Sequence, residues 1–142
     1  MREPPVVLRD AVLETCSLLD EVRDGLGLRD RMQAYAAVRA VLHAMREGVP
    51  AISTLRIAAG MPLLAGGIAI EGWRPSPPGT QPPPFLDRAA EGLPLGFPAP
   101  ADRAAACVLS ALSARMEPDA VAGLSARVPG LLPPPSRPGA GR

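Results

Sequence analysis

The stretch "LLDEVRDGLGL" at residues 18–28 returns 67 positions later as "FLDRAAEGLPL" at residues 85–95. Leu19 falls on Leu86, Asp20 on Asp87, Gly25 on Gly92, Leu26 on Leu93 and Leu28 on Leu95. The register runs on without a gap: Val41 and Leu42 meet Val108 and Leu109, Ala44 meets Ala111, Ala59 meets Ala126, Pro62 meets Pro129, and Leu64 meets Leu131. Enrichment in alanine and leucine does not match glycines and prolines as well, so the chain reads as two tandem units, 18–64 and 85–131. Short repeats usually build open arrays; two units this long are expected to pack face to face, the second completing the core of the first.

Within each unit the periodicity is helical. Tyr35, Val38, Leu42 and Met45, with Ala34 and Val41 beside them, form an i, i+3, i+4, i+7 stripe, and Val108, Leu109 and Leu112 repeat it. No run alternates with period two, so no strand is expected. Asp30 and Asp102 stand where helix N-caps belong, Gly25 and Gly92 where a first helix should stop, and Pro118 in the first turn of a last helix. Helices are expected over 5–24, 30–47, 51–60, 62–71, 84–92, 100–115 and 118–128. The fold class is therefore all-α, a bundle of two helical repeats forming one domain over 1–132. Residues 65–84 link the repeats, with Pro75 to Pro84 a stiff connector. From Leu131 the tail "LLPPPSRPGAGR" can bury little, and 133–142 are expected to be disordered.

Composition narrows the function classes. The 15 basic residues are all arginine and balance 14 acids, leaving a net charge of +1. No basic field exists to recruit nucleic acid or an anionic membrane. The uncharged run from Ile57 to Ile70 has 14 residues, short of the roughly 20 that span a bilayer. The charged N-terminus is unlike a signal peptide. Cys16 and Cys107 lack metal-ligand spacing and read as small hydrophobes of a reducing, cytoplasmic protein.

The run "DRMQAYAAVRAVLHAMRE" (30–47), followed by Met61-Pro62-Leu63-Leu64 and "EGWRP" (71–75), resembles the bacterial family called Domain of Unknown Function 2267. The resemblance extends from about Leu18 to Leu132. It implies an all-helical, duplicated domain and brings no established activity. Ala69 and Ile70 replace the two aromatic residues that often precede Glu-Gly-Trp in that family, and "GVPAIST" replaces the usual acidic start of its third helix.

Candidate chemistry is confined to one place. The sole histidine, His43, shares a helix with Tyr35 and Arg39 at steps of four, so the three form a line. Arg39 there could grip an anion and His43 exchange protons, or all three could simply satisfy hydrogen bonds at the core rim. The equivalent positions in the second unit are Asp102, Ala106 and Ser110, so packing of the repeats does not require the triplet. A site at this place would join Tyr35, Arg39 and His43 to Glu71, Trp73 and Arg74. Trp73 is expected to cap a core edge, its indole N–H reaching a carbonyl. The pairs Asp20/Asp24 and Asp87/Glu91 lack a companion Glu-x-x-His and read as solvated faces. No G-x-S-x-G, phosphate loop or metal-ligand set occurs, so no cofactor or metal is expected. The leading expectation is a non-enzymatic domain that binds another protein or itself; the alternative is a ligand pocket or enzyme at Arg39, His43, Glu71 and Trp73.

Overall fold

The computed structural model describes residues 2–47, 50–128 and 130–132. Among them run α1 (Val6–Leu26), α2 (Arg31–Met45), α3 (Ala51–Ala59), α4 (Leu63–Ile70), α5 (Phe85–Gly92), α6 (Ala101–Ser113) and α7 (Pro118–Arg127), with no strand. The chain is an all-helical bundle. Helix α2 lies at its centre and packs on α1, α4, α5 and α6, while α1 also packs on α6 and α4, α5 on α6, and α3 on α4 and α7.

Proline punctuates this chain. Pro5, Pro50, Pro62, Pro84 and Pro100 each occupy the residue before a helix, with φ between −53° and −70° and extended ψ. A locked φ suits that position, where no amide donor is required. Their carbonyls accept the first helical bonds, from Arg9, Thr54, Gly66, Arg88 and Ala104. Pro118 opens α7 from inside. Among the described helices only α2 has a side-chain N-cap bond, Asp30 accepting from the Gln33 amide at 3.0 Å; Glu117 before α7 makes none.

Two expected boundaries need correction. Asp102 is not an N-cap; Pro100 takes that place, and Asp102 sits in the first turn, accepting from the Arg103 amide at 2.8 Å, where its charge suits the helix dipole. Gly25 does not stop α1. The stop is Gly27 at φ 66°, with the Gly27 amide on Asp24 O and the Leu28 amide on Arg23 O at 2.8 Å, a Schellman closure sealed by buried Leu28. Gly25 lies close against α6 instead: a Cβ there would lie 2.8 Å from Cys107 Sγ, and the thiol would have to shift. Cys16 and Cys107 are both free and partly buried.

The core is aliphatic and alanine-rich, as four aromatics in the whole chain dictate. Val22, Val41, Leu42, Val108, Leu109, Leu112 and Leu124 are fully enclosed, with Ala34, Ala37, Ala104 and Ala105 between them. Small residues let helix axes approach closely. Leu132, the last residue of the expected domain bound, is buried as well. The expected disorder of 133–142 lies outside the described residues.

The adjacent glycines of α4 separate close packing from open space. A Cβ on Gly66 would stand 2.7 Å from the Ala58 carbonyl oxygen, whereas one on Gly67 meets nothing within 4 Å. Gly66→Ala is expected to cost about 1–3 kcal/mol through overpacking. Gly67→Ala is expected to gain about 0.5–1 kcal/mol from helix propensity and a less flexible unfolded chain. Urea unfolding of the two variants checks the contrast, and equal midpoints would contradict it.

Candidate functional site

The sequence-derived line of Tyr35, Arg39 and His43 lies on α2, facing the end of α4. Only part of it converges with the Glu71-Gly72-Trp73 signature. Arg39 Nε donates to Glu71 Oε1 at 3.2 Å, and His43 Nε2 lies 2.8 Å from the Ile68 carbonyl and 3.9 Å from Glu71 Oε1. A carbonyl can only accept, so Nε2 carries the proton and Nδ1 is the free acceptor of the neutral ring. Tyr35 packs against the core edge two turns away. Arg74 is exposed.

Arg46, which sequence reasoning passed over, completes the arrangement. Its Nη1 donates to Ala69 O at 3.1 Å and to Glu71 O at 2.6 Å. Helix α4 carries no basic residue in its last turn, so its carbonyls Ile68 and Ala69, and that of the capping Glu71, are satisfied instead by His43 of α2 and by Arg46 just after it. The signal was available: Arg46 follows His43 by three residues and so shares its face.

Burial pushes the His43 pKa below its ordinary value, and the Arg46 and Arg39 cations act the same way; the Ile68 carbonyl and Glu71 oppose them without prevailing. His43 is therefore neutral at pH 7. The Arg39–Glu71 pair is half exposed on both sides, and such pairs contribute only about 0–1 kcal/mol. As arranged, the groups tie the C-terminus of α4 to α2, and the histidine proton is already engaged by a backbone carbonyl.

Trp73 belongs to a different hollow. It lines a space of about 490 Å³ with Arg46, Glu47, Pro50 and the connector from Pro75 to Thr80, while Arg39 and His43 line one of about 540 Å³ with Arg88, Glu91 and the prolines at 82 and 83. Glu47 borders both. The expected indole-to-carbonyl bond is absent: Trp73 Nε1 is buried and meets no acceptor among the described residues. The connector from Pro75 to Thr80 lines the same hollow and turns at Gly79, its Thr80 amide on Pro77 O, without giving a carbonyl to the indole nitrogen.

The carboxylate pairs also have settled roles. Asp20 accepts from Arg31 at 2.7 and 3.0 Å and pairs with Arg23, so its carboxyl is held below the usual range chiefly by the Arg31 hydrogen bond. Asp24 is bound by Arg23. Asp87 and Glu91 are exposed. Among the described residues no three His, Cys, Asp or Glu side chains come together in a cluster able to hold a metal ion, and no helix is long and apolar enough to cross a membrane.

Residues 15–134 match the family described as "Uncharacterized conserved protein (DUF2267)". A comparison with curated proteins finds no match.

The depressed His43 pKa makes a testable pH dependence. Because the folded ring resists the proton, the unfolded chain binds it more readily just below the ordinary value of 6.5. Stability is expected to hold at or above pH 6.5 and to fall as pH drops through the folded pKa. His43→Gln, in which no other histidine remains, should abolish that slope. Urea unfolding across the window measures it, and a wild-type slope retained in the variant would contradict the assignment.

Proposed function

We propose that this chain, which belongs to the DUF2267 family, is a cytoplasmic, non-enzymatic helical domain that works by protein–protein contact, first of all with a second copy of itself. The observation that carries the reading is in α1. Leu8, Val12, Thr15, Leu19, Val22 and Leu26 follow one another at steps of four and three, the spacing of a helix–helix seam. The last three are buried in the bundle, whereas Leu8 is 48% and Val12 51% exposed. The seam runs on for two turns with none of the described residues covering it. Val6, Val7 and Leu13 are exposed around it, and Leu63 and Leu64 are exposed on α4, which packs against α1.

A second copy suits this surface because an α1 helix offers the same spacing to its like. A net charge of +1 sets up little repulsion between copies and no field to select a charged partner. The proposal includes the domain organisation: one unit over about residues 1–132, built from two copies of a helical repeat. Reciprocal contacts support it. Gly25 lies against Cys107 and Gly92 against Ala40, pairs that exchange under the 67-residue offset of the repeat.

A second reading rests on the hollow of about 540 Å³ beside Arg39 and His43, where Arg39 could hold an anionic ligand near the neutral ring. Light scattering coupled to size exclusion separates the two. Wild type at high micromolar concentration is expected to run as a dimer and the Leu8→Glu, Val12→Glu double variant as a helical monomer. A monomeric wild type contradicts self-association. Arg39→Ala should leave the dimer and cellular function intact; loss of function with the dimer retained would favour the ligand reading.

A further inference from the structure

Helix α4, Leu-Leu-Ala-Gly-Gly-Ile-Ala-Ile, carries no charged or hydrogen-bonding side chain. A helix apolar on every side is normally enclosed, yet only Ala65 and Ala69 of these residues are buried. Leu63, Gly67 and Ile70 follow one another at steps of four and three on the opposite side of the helix. All three are exposed, Leu63 to 61% and Ile70 to 39%, and Leu64 is exposed beside them. None of the described residues covers this stripe.

Gly67 is the member that packing within the described chain does not explain. Its neighbour Gly66 lies close against the Ala58 carbonyl oxygen, whereas a Cβ on Gly67 would meet nothing within 4 Å. Glycine inside a helix is destabilising relative to alanine. A missing side chain serves where a second backbone passes close over the helix, and none of the described residues supplies that backbone.

The stripe adjoins the surface already assigned to self-association, since α4 packs against α1. That surface alone is short: two turns of helix run about 11 Å, whereas a stable interface buries roughly 800 Å² on each partner. A two-fold dimer that laid α1 on α1 alone would leave the α4 stripe of both copies in water. We propose that α1 of a second copy also seats on α4, its Leu8–Val12 edge crossing over Gly67 with Leu63 and Ile70 on either side of the crossing. Two-fold symmetry then covers both stripes alike. The stripe offers no charge, donor or acceptor to select a peptide, nucleic acid or anionic ligand, and the Leu8–Val12 edge requires none. This inference rests on self-association as proposed above and adds the surface that receives α1.

Sedimentation equilibrium of the full chain tests it with Gly67→Leu and Leu63→Glu. Leucine enlarges the apolar stripe but blocks the close approach; glutamate at the first residue of α4 charges the stripe while suiting the helix dipole. Both variants are expected to fold and to raise the dimer dissociation constant about tenfold or more. At concentrations where every chain is monomeric, Gly67→Leu should unfold in urea no earlier than wild type, because leucine is the better helix former and its Cβ meets nothing. Wild-type dimerisation by both variants, with the Leu8→Glu, Val12→Glu chain monomeric, would overturn the α4 surface and leave self-association through α1 standing. A dimer strengthened by Gly67→Leu would show an unspecific apolar face and overturn the close approach. Earlier unfolding of monomeric Gly67→Leu would show that a segment of the same chain lies over α4 and would overturn the proposal as well. A monomeric wild type would remove it together with the reading on which it rests.

Discussion

The C-terminus of α2 is where the bundle is tied together. Its last carbonyls have no partner within the helix, and they are taken by arginines from the distant half of the chain. Arg88 of α5 donates Nε and Nη2 to Ala44 O at 3.0 and 2.6 Å and Nη1 to Pro83 O. Arg127 of α7 reaches Met45 O and Thr54 Oγ1. A hydrogen bond from a charged donor contributes about 1.5–3 kcal/mol, and a cation at a helix C-terminus also suits the dipole. The forked guanidinium explains why a chain with 15 basic residues contains no lysine at these places: one ammonium cannot span the connector and the helix end together. Thr54, the only polar residue described as buried, is there to accept from Arg127.

The same logic runs outward from α2. His43 and Arg46 treat the end of α4 as Arg88 and Arg127 treat the end of α2. The polar groups that look most chemical in the sequence are therefore largely occupied in joining helices. What the described residues leave uncovered lies elsewhere, at the first turns of α1. The proposal of self-association rests on this division.

Much of the helix plan was legible because proline and Asp30 mark the starts locally. Starts expected at 30, 51, 62, 84, 100 and 118 fall within one residue of those observed. The end of α1 was misread because Gly25 and Gly27 look alike in sequence; only the left-handed backbone at Gly27 distinguishes the stop, while Gly25 answers to a helix 82 residues away. At the candidate site, the i+4 steps correctly placed Arg39 and His43 together, and the Glu71 contact followed from the linker signature. The Arg88 and Arg127 caps were not legible: they join residues 44 and 82 apart and leave no periodic trace. The Trp73 indole failed for a similar reason, since which carbonyl comes within reach of its nitrogen is set by tertiary packing.

The central claim, that forked arginine donors hold the helix end, is tested most directly at Arg88. Arg88→Lys keeps the charge and most of the aliphatic stem but removes the fork and weakens the cation–π contact with the Phe85 ring, now 5.9 Å from the guanidinium carbon. Urea unfolding of this variant should show a single transition with a loss of about 1–3 kcal/mol. Stability within about 0.5 kcal/mol of wild type, the range of an ordinary surface change, would contradict the account.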